Sequence, residues 1–212
     1  MCSSDLRRAD LDAARLEALA TAGVCEGLGL DRRQALWQAG WTESRDHLEG
    51  VAVAATAPAL PGLDDVGTML ADLWATGVTT DTHPFAFLRP ALRAFGLHAV
   101  ADLTGERPTV EDRRRVSVAG VVTHRQRPGT AGGVTFLNLE DETGMLNVVC
   151  GQGVWRRHRA VATRSQTMVV RGMVERRDGV TNLVADRLSA LAEVHPDAAA
   201  ALEGRLRSRD FR

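Results

Sequence analysis

The sequence predicts an α+β fold, with a helical part followed by a part made of strands. Apolar residues recur at helical spacing in several segments of the first 110 residues, and from Arg115 onward they alternate with a period of two. Turn signals separate the alternating runs, and the Asp178-Gly179 pair is a strong hairpin signal. The 212 residues are enough for one medium domain or two small ones.

Residues 1–50 contain two predicted helices joined by a short turn with glycines. The first helix occupies residues 10–22, and Asp31 caps the second, which ends near Gly40. Two such helices form a helix–turn–helix unit, and the turn can offer backbone N–H groups to a DNA phosphate. Simple packing of one helix on the other explains the same pattern equally well.

Residues 51–110 are predicted to form a helical connector. An Ala- and Pro-rich run leads into a helix that ends at Gly77, and the apolar stripe of this helix predicts that Trp74 packs in the core. A further helix opens at Pro84. It is predicted to break at Pro90, because a proline inside a helix removes a hydrogen bond and clashes with the preceding turn.

Residues 111–190 are predicted to form a barrel, and residues 191–212 a C-terminal tail. The predicted strands are residues 115–122, 134–139, 145–150, 167–175 and 181–188, and a helix is predicted over residues 153–163. The order β-β-β-α-β-β is that of the five-stranded OB-fold. Gly120 and Gly172 lie in mid-strand, where a small barrel must bend sharply. Trp155 of the predicted helix is expected to plug the open end.

The charge is unevenly distributed along the chain. Residues 111–188 hold 13 arginines against 8 acidic residues, a net +5, whereas residues 1–110 hold 9 against 15, a net −6. All 26 basic residues are arginine. Drift in composition explains that preference, but a planar guanidinium also suits phosphate because it donates two hydrogen bonds at once. The local excess favours a polyanion as partner.

The predicted barrel carries a candidate nucleic-acid site. OB-folds bind nucleic acid on the face of strands two and three, flanked by the loops between strands one and two and between strands four and five. Both loops carry arginines and are expected to converge on one groove. The candidate residues on these loops and on strand two are Arg125, Arg127, Gly132, Gly133, Phe136, Asn138, Arg176 and Arg177.

Each of these residues has an expected role. The arginines would contact phosphates, and the glycines would let the loop backbone approach them closely. Phe136 would stack on a base, with Asn138 beside it, if the alternate residues of strand two point inward. In the opposite register Phe136 belongs to the core.

Catalysis and metal binding find no support in the sequence. We find none of the His-Glu-x-x-His, Gly-x-Ser-x-Gly and Gly-x-x-x-x-Gly-Lys motifs. Cys2, Cys25 and Cys150 are far apart, so neither a disulfide framework nor a zinc site is predicted. No apolar run approaches the roughly 20 residues of a membrane span, and the first residues do not resemble a signal peptide. The expected compartment is the cytoplasm, with no membrane partner.

Several stretches resemble the C-terminal portion of the bacterial error-prone DNA polymerases, damage-tolerant relatives of the replicative C-family alpha subunit. The stretches are GVVTHRQRPGTAGGVTFLNLEDETGMLNVVC, VRGMVERRDGVTNLVADRL and ATGVTTDTHP. In addition, LEALATAGVCEGLGLDRRQALWQAG resembles the end of that family's helix-hairpin-helix domain. The resemblance covers roughly residues 10–190.

The resemblance implies DNA-directed DNA synthesis past damage, in replication and repair, with magnesium held by palm-domain carboxylates. It implies as partners a single-stranded template, the other domains of the parent polymerase, a Y-family-like accessory protein and a RecA-like protein. The palm, thumb and fingers have no counterpart here, so the chain alone is expected to be an inactive C-terminal fragment without a cofactor.

Two alternatives remain open at this point. The first is a freestanding OB-fold module that binds single-stranded DNA or tRNA, since FLNLEDETGMLNVV also resembles the anticodon-binding domains of class II synthetases. The second is a protein-docking domain whose groove holds a partner peptide.

Overall fold

The computed structural model describes residues 11–40, 57–79 and 82–196. The chain divides into two compact units, here called the N-terminal unit (Met1–Asp81) and the barrel unit (Thr82–Arg212). The start of the first predicted helix, the first part of the Ala- and Pro-rich run and most of the predicted tail lie outside the described residues.

The N-terminal unit contains the helices that the sequence predicts. They are α1 (Ala13–Thr21), a 3₁₀ turn (Glu26–Leu28), α2 (Arg32–Gly40) and α3 (Asp65–Thr76). Asp12 and Asp64 cap α1 and α3, because each carboxylate accepts a hydrogen bond from the backbone N–H three residues later. Gly77 ends α3 in the left-handed conformation (φ 74°), as expected.

A buried arginine ties the α1–α2 hairpin to α3. Arg32 is only 9% exposed, and its guanidinium donates to the carboxylate of Asp72 at 2.5 Å and to that of Glu26 at 2.8 Å. It also donates to the carbonyls of Thr21 and Thr68. A charge is stable in an interior only when it is paired and hydrogen-bonded, so these contacts fix the hairpin to the third helix.

The prediction that Trp74 packs in the core is wrong. Met69, Asp72 and Leu73 form the buried face of α3, whereas Trp74 is 59% exposed. Each residue of an α-helix advances by about 100°, so Trp74 lies roughly 200° around the helix from Asp72. The ion pair between Asp72 and Arg32 rotates the buried face away from the stripe that hydrophobicity alone suggested.

Two helices precede the strands of the barrel unit, α4 (Pro84–Ala94) and α5 (Val100–Thr104). The predicted break at Pro90 is wrong, because α4 continues through it. Pro90 is exposed, while Phe85 and Leu92 on either side are fully buried, so packing maintains the helical path across the missing N–H. Arg89 anchors α4 to the turn after strand two through the carboxylates of Asp141 and Glu142.

The barrel is closed, in the order β1-β2-β3-β5-β4. Its strands are β1 (Arg115–Gln126), β2 (Thr135–Asp141), β3 (Gly144–Cys150), β4 (Thr167–Arg177) and β5 (Val180–Ala190). β3 pairs with β5 in parallel and all other neighbours are antiparallel. The predicted α+β class and OB-fold barrel are thereby confirmed.

The predicted helix between β3 and β4 is divided in two, α6 (Gln152–Arg157) and α7 (Arg159–Arg164), with His158 outside helical geometry (φ −110°). Trp155 of α6 is half-buried and packs against the barrel core, as expected of a side chain that closes the barrel. The chain continues into α8 (Leu191–Val194).

The two mid-strand glycines lie where strands approach too closely for a side chain. A Cβ on Gly120 would lie 2.6 Å from the carbonyl oxygen of Glu140, and a Cβ on Gly172 would lie 2.8 Å from the carbonyl carbon of Val184. Gly172 also follows the point where the register between β4 and β5 shifts. Both positions therefore require glycine, in agreement with the predicted bends.

Candidate nucleic-acid interface

Strand β2 has the register that the candidate site requires. Thr135, Leu137 and Leu139 are buried, whereas Phe136 and Asn138 are half-buried on the opposite side. Because successive side chains of a strand point to opposite faces, Phe136 and Asn138 lie on the outward face of the barrel. The register in which Phe136 belongs to the core is excluded.

Strand pairing extends the outward face of β2 into two rows. Phe136 lies opposite Val149 of β3, and Val149 lies opposite Val184 of β5; these three residues are here called the apolar row. All three are half-buried. The row gives a base an apolar surface next to an aromatic ring on which it can stack.

A second row, two residues along each strand, is polar. Asn138 lies opposite Asn147, and Asn147 lies opposite Asn182; these residues are here called the amide row. The amide nitrogen of Asn147 donates to the side-chain oxygen of Asn182, and that of Asn138 contacts the sulfur of Met145 at 3.4 Å. Each amide has two donor hydrogens and two acceptor lone pairs, so the row retains hydrogen-bonding capacity for a base edge.

The two loops border the same two rows, one loop at each end. Thr135 lies opposite Cys150, so the β1–β2 loop is at the end where β3 finishes. β5 runs parallel to β3, with Asn147 opposite Asn182, so the β4–β5 turn is at the end where β3 begins. A strand of nucleic acid that contacts both loops must therefore cross the apolar and amide rows.

The loop backbones have the conformations that their glycines suggested. Gly132 and Gly133 have φ values of 58° and 84°, which other residues rarely adopt. A Cβ on Gly133 would also lie 3.2 Å from the side chain of Gln152, the first residue of α6. Asp178 and Gly179 have φ values of 51° and 77°, as in a type I′ turn.

Two of the four predicted phosphate-binding arginines are engaged inside the fold. Arg125 donates from Nε to the carbonyl of Ala162 at 2.8 Å and from Nη2 to the carbonyl of Ser165, so it caps the end of α7. Arg176 donates from Nη2 to two carbonyls before β1, those of Leu103 and Val110. The geometry therefore gives both side chains a structural role, in which they bind backbone carbonyls of the barrel unit.

The other two predicted arginines are at the surface. Arg127 is exposed in the β1–β2 loop. Arg177 is 76% exposed at the β4–β5 turn, where its guanidinium lies 3.1 Å from the carboxylate of Glu175. An exposed ion pair of this kind contributes little, so both guanidinium groups are accessible to a phosphate.

The sequence interpretation missed four residues of the candidate interface: Asn147, Val149, Asn182 and Val184. The signal was present in the stretches MLNVV and VTNLV, which each place an asparagine among apolar residues at an outward position of an alternating strand. Without the parallel pairing of β3 with β5, nothing in the sequence shows that the two asparagines are neighbours.

Cys150, at the end of β3, is a buried free cysteine. Burial raises the pKa of the Cys150 thiol to about 11, which makes it a poor nucleophile at neutral pH. Among residues 11–40, 57–79 and 82–196, no three His, Cys, Asp or Glu side chains are placed to hold a metal ion. Within the same ranges no helix has the length and apolarity to cross a membrane.

The barrel matches a protein-family model. Residues 116–191 match the OB-fold nucleic acid binding domain. Among solved structures, asparaginyl-tRNA synthetase from Pyrococcus horikoshii has 18% sequence identity over 49% of this chain and 27% of that chain, with a TM-score of 0.35. That likeness is too distant to indicate a function.

Nearly the whole chain is similar to error-prone DNA polymerases. It is 47% identical over 207 residues to that of Mycolicibacterium paratuberculosis, which covers 97% of this chain and 18% of the relative. It is 49% identical over 214 residues to that of Cutibacterium acnes, with 97% and 17% covered. The chain thus spans less than a fifth of the length of the curated relatives it matches.

Proposed function

Because nearly the whole chain is similar to part of the error-prone DNA polymerases, we propose that its barrel binds the single-stranded template of such a polymerase. The proposed site is the outward face of β2, β3 and β5. A base stacks on Phe136, the amide row binds base edges, and the loop arginines Arg127 and Arg177 bind phosphates.

The observation that carries this proposal is the arrangement of the two rows between the two loops. An apolar row with one aromatic ring supports stacking, which contributes about 1–3 kcal/mol per base and tolerates any sequence. The neighbouring amide row supplies donors and acceptors, and exposed arginines stand at both ends. These are the parts that a site for an extended single strand needs.

Fluorescence anisotropy with a labelled oligothymidine tests the site. We expect Phe136→Ala to weaken binding with almost no change in salt dependence, because stacking releases few counterions. Arg127→Ala with Arg177→Ala should reduce the slope of log K against log salt by about 0.7 for each lost contact on a single strand. Gly129→Ala is a matched control, since a Cβ there meets nothing within 4 Å. Unaltered binding by all these variants would refute the site.

The activity of the whole polymerase is also a proposal for this chain. We propose that it serves DNA-directed DNA synthesis past lesions and in repair, beside the other domains of the polymerase. Magnesium, the Y-family-like protein and the RecA-like protein would act with that larger assembly. The described residues hold no carboxylate cluster that fits magnesium, so no step is assigned to it here.

Primer extension tests the proposal that the purified chain is inactive by itself. The expected result is no nucleotide addition with or without magnesium. Magnesium-dependent extension by the 212-residue protein would overturn it.

A protein-docking role is a competing function, and the salt dependence of binding distinguishes it from nucleic-acid binding. Binding through phosphates weakens steeply as salt increases, because condensed counterions are released. Binding of a peptide to the apolar row would depend much less on salt.

A further inference from the structure

A cavity of about 210 Å³ lies beside β5, outside the two rows. Its polar lining comes from α6, the junction before α7, β5 and α8: Arg157, His158, Arg187, Ser189 and Glu193. This volume is below the range of about 300–1,000 Å³ that is typical for drug-sized ligands. The cavity therefore suits a single small group better than a whole cofactor.

The cavity is cationic, because its two arginines outnumber its one carboxylate. Between Glu142 and Glu175 the sequence has five arginines and no acidic residue. The nearest carboxylate on β5, Asp186, is already paired with Arg171 at 2.6 Å and Arg115 at 2.7 Å. Among the described residues, no ion pair or side-chain hydrogen bond is found for Arg157 or Arg187.

His158 and Ser189 add neutral hydrogen-bonding groups. Burial, followed by the positive charges of Arg157 and Arg187, lowers the pKa of His158. The imidazole is then uncharged at neutral pH and offers one N–H donor. A hydroxyl, an imidazole N–H and two guanidinium groups on one cavity match the oxygens of a phosphate.

The cavity continues the outward face of the barrel. Val184 of the apolar row precedes Arg187 on β5 by three residues, roughly 10 Å at a rise of about 3.3 Å per residue. Helices α6 and α7 contact β5, and the cavity lining brings their residues together with Arg187 and Ser189, which follow the last β5 residue paired with β3, Val184. The β1–β2 loop is next to α6, since the Cβ position of Gly133 lies 3.2 Å from Gln152.

We propose that this cavity binds a phosphodiester group of the same single strand whose bases lie on the apolar and amide rows. Arg157 and Arg187 bind the phosphate oxygens, with Ser189 and His158 as neutral donors. Glu193 opposes binding by its negative charge. The site extends the path of the single-stranded nucleic acid past the end of β3. This proposal rests on the proposed function of the outward face.

Anisotropy titrations of the full 212-residue chain test the cavity. The probe is a fluorescein-labelled oligothymidine of about 16 nucleotides, the upper end of the range that one OB-fold covers. The double variant Arg157→Ala/Arg187→Ala should lower the salt slope by about 0.7, the value for one phosphate contact. A tenfold rise in salt would then lower the binding constant of the wild type about fivefold more than that of the variant.

Two single variants serve as controls. Arg159→Ala removes one positive charge from an exposed position outside the cavity lining, so it should leave the salt slope almost unchanged. Glu193→Gln should tighten binding, because it removes the opposing carboxylate. Thermal melts by circular dichroism verify that each variant is folded. A wild-type slope in the double variant, or an equal loss in Arg159→Ala, would overturn the proposal.

An NMR titration separates this proposal from that for the outward face. The amides of Ala160 and Ser189 are followed on addition of oligothymidine or of inorganic phosphate. We expect shifts with the oligothymidine. Shifts with inorganic phosphate alone would assign the cavity to a free phosphate and overturn the strand path. If the wild type bound no oligonucleotide at all, the proposed function itself would fail.

Discussion

Replacing Arg125 with alanine distinguishes a structural role from a DNA-binding one. Its guanidinium donates to the carbonyl of Ala162, in the last turn of α7, and to the carbonyl of Ser165, which follows α7. A hydrogen bond from a charged group contributes about 1.5–3 kcal/mol when it is well shielded. Arg125 is only half-buried, and solvent screens part of that contribution. We therefore expect Arg125→Ala to lower the free energy of unfolding by about 2–3 kcal/mol.

Urea unfolding followed by circular dichroism measures this effect. The midpoint should fall while the m-value stays unchanged, which indicates lost stability with the same buried surface. Arg127→Ala, two residues away in the β1–β2 loop, is the control and should leave the midpoint unchanged. Oligonucleotide binding should show the reverse order, with Arg127→Ala the weaker binder. A stable Arg125→Ala variant that has lost DNA binding would refute our assignment.

Three further substitutions test the packing. Gly120→Val should destabilise the barrel by roughly 2 kcal/mol in thermal melts, because its Cβ would lie 2.6 Å from a carbonyl oxygen. This overpacking outweighs the gain in strand propensity. An unchanged melting temperature would argue against the close approach. Thr135→Val should raise the free energy of unfolding in urea by about 1 kcal/mol, since the Thr135 hydroxyl is buried without a hydrogen-bond partner among the described residues. A lower urea midpoint than that of the wild type would contradict this. Asp72→Ala should cost about 3–5 kcal/mol, because it removes the buried carboxylate that pairs with Arg32 and leaves the exposed Glu26 as its remaining ion-pair partner. Glu26→Ala, which removes a 55% exposed partner, should cost less than about 1 kcal/mol in the same assay.

The barrel could be predicted from the sequence because its signals are local. The alternation in β2 limits this strand to two registers, and the structure has the one in which Phe136 points outward. Asp178-Gly179 specifies the turn between β4 and β5 through its left-handed backbone. The glycines at positions 120 and 172 mark close approaches that other residues in the same strands do not require. These features lie within one strand or one turn, so a short window of sequence contains them.

The features that the sequence did not show depend instead on partners far away in the chain. Arg125 bonds a carbonyl 37 residues away, and Arg176 bonds one 73 residues away. Trp74 is exposed because Asp72, two positions earlier, pairs with an arginine 40 residues before it. Periodicity contains no information on such pairs, so the sequence indicated a surplus of arginine without indicating which arginines the fold itself uses.

The arginines that bond carbonyls of the fold and those at the surface should contribute differently to the salt dependence of the proposed DNA binding. The net +5 of residues 111–188 counts Arg125 and Arg176, whose charges persist and still attract a polyanion at long range. Counterion release, however, depends on the phosphates actually contacted. Arg127, Arg177 and the cavity with Arg157 and Arg187 would provide three contacts.

Three contacts on a single strand predict a slope of log K against log salt of about −2. Anisotropy titrations of the wild type across a tenfold range of salt measure this slope directly. If Arg125 and Arg176 left their carbonyls to bind phosphates, five contacts would give a slope of about −3.5. A slope near that steeper value, combined with loss of binding in Arg176→Ala, would show that the guanidinium groups exchange their carbonyl partners for DNA. A slope near −2 would mean that Arg125 and Arg176 keep their hydrogen bonds to the carbonyls.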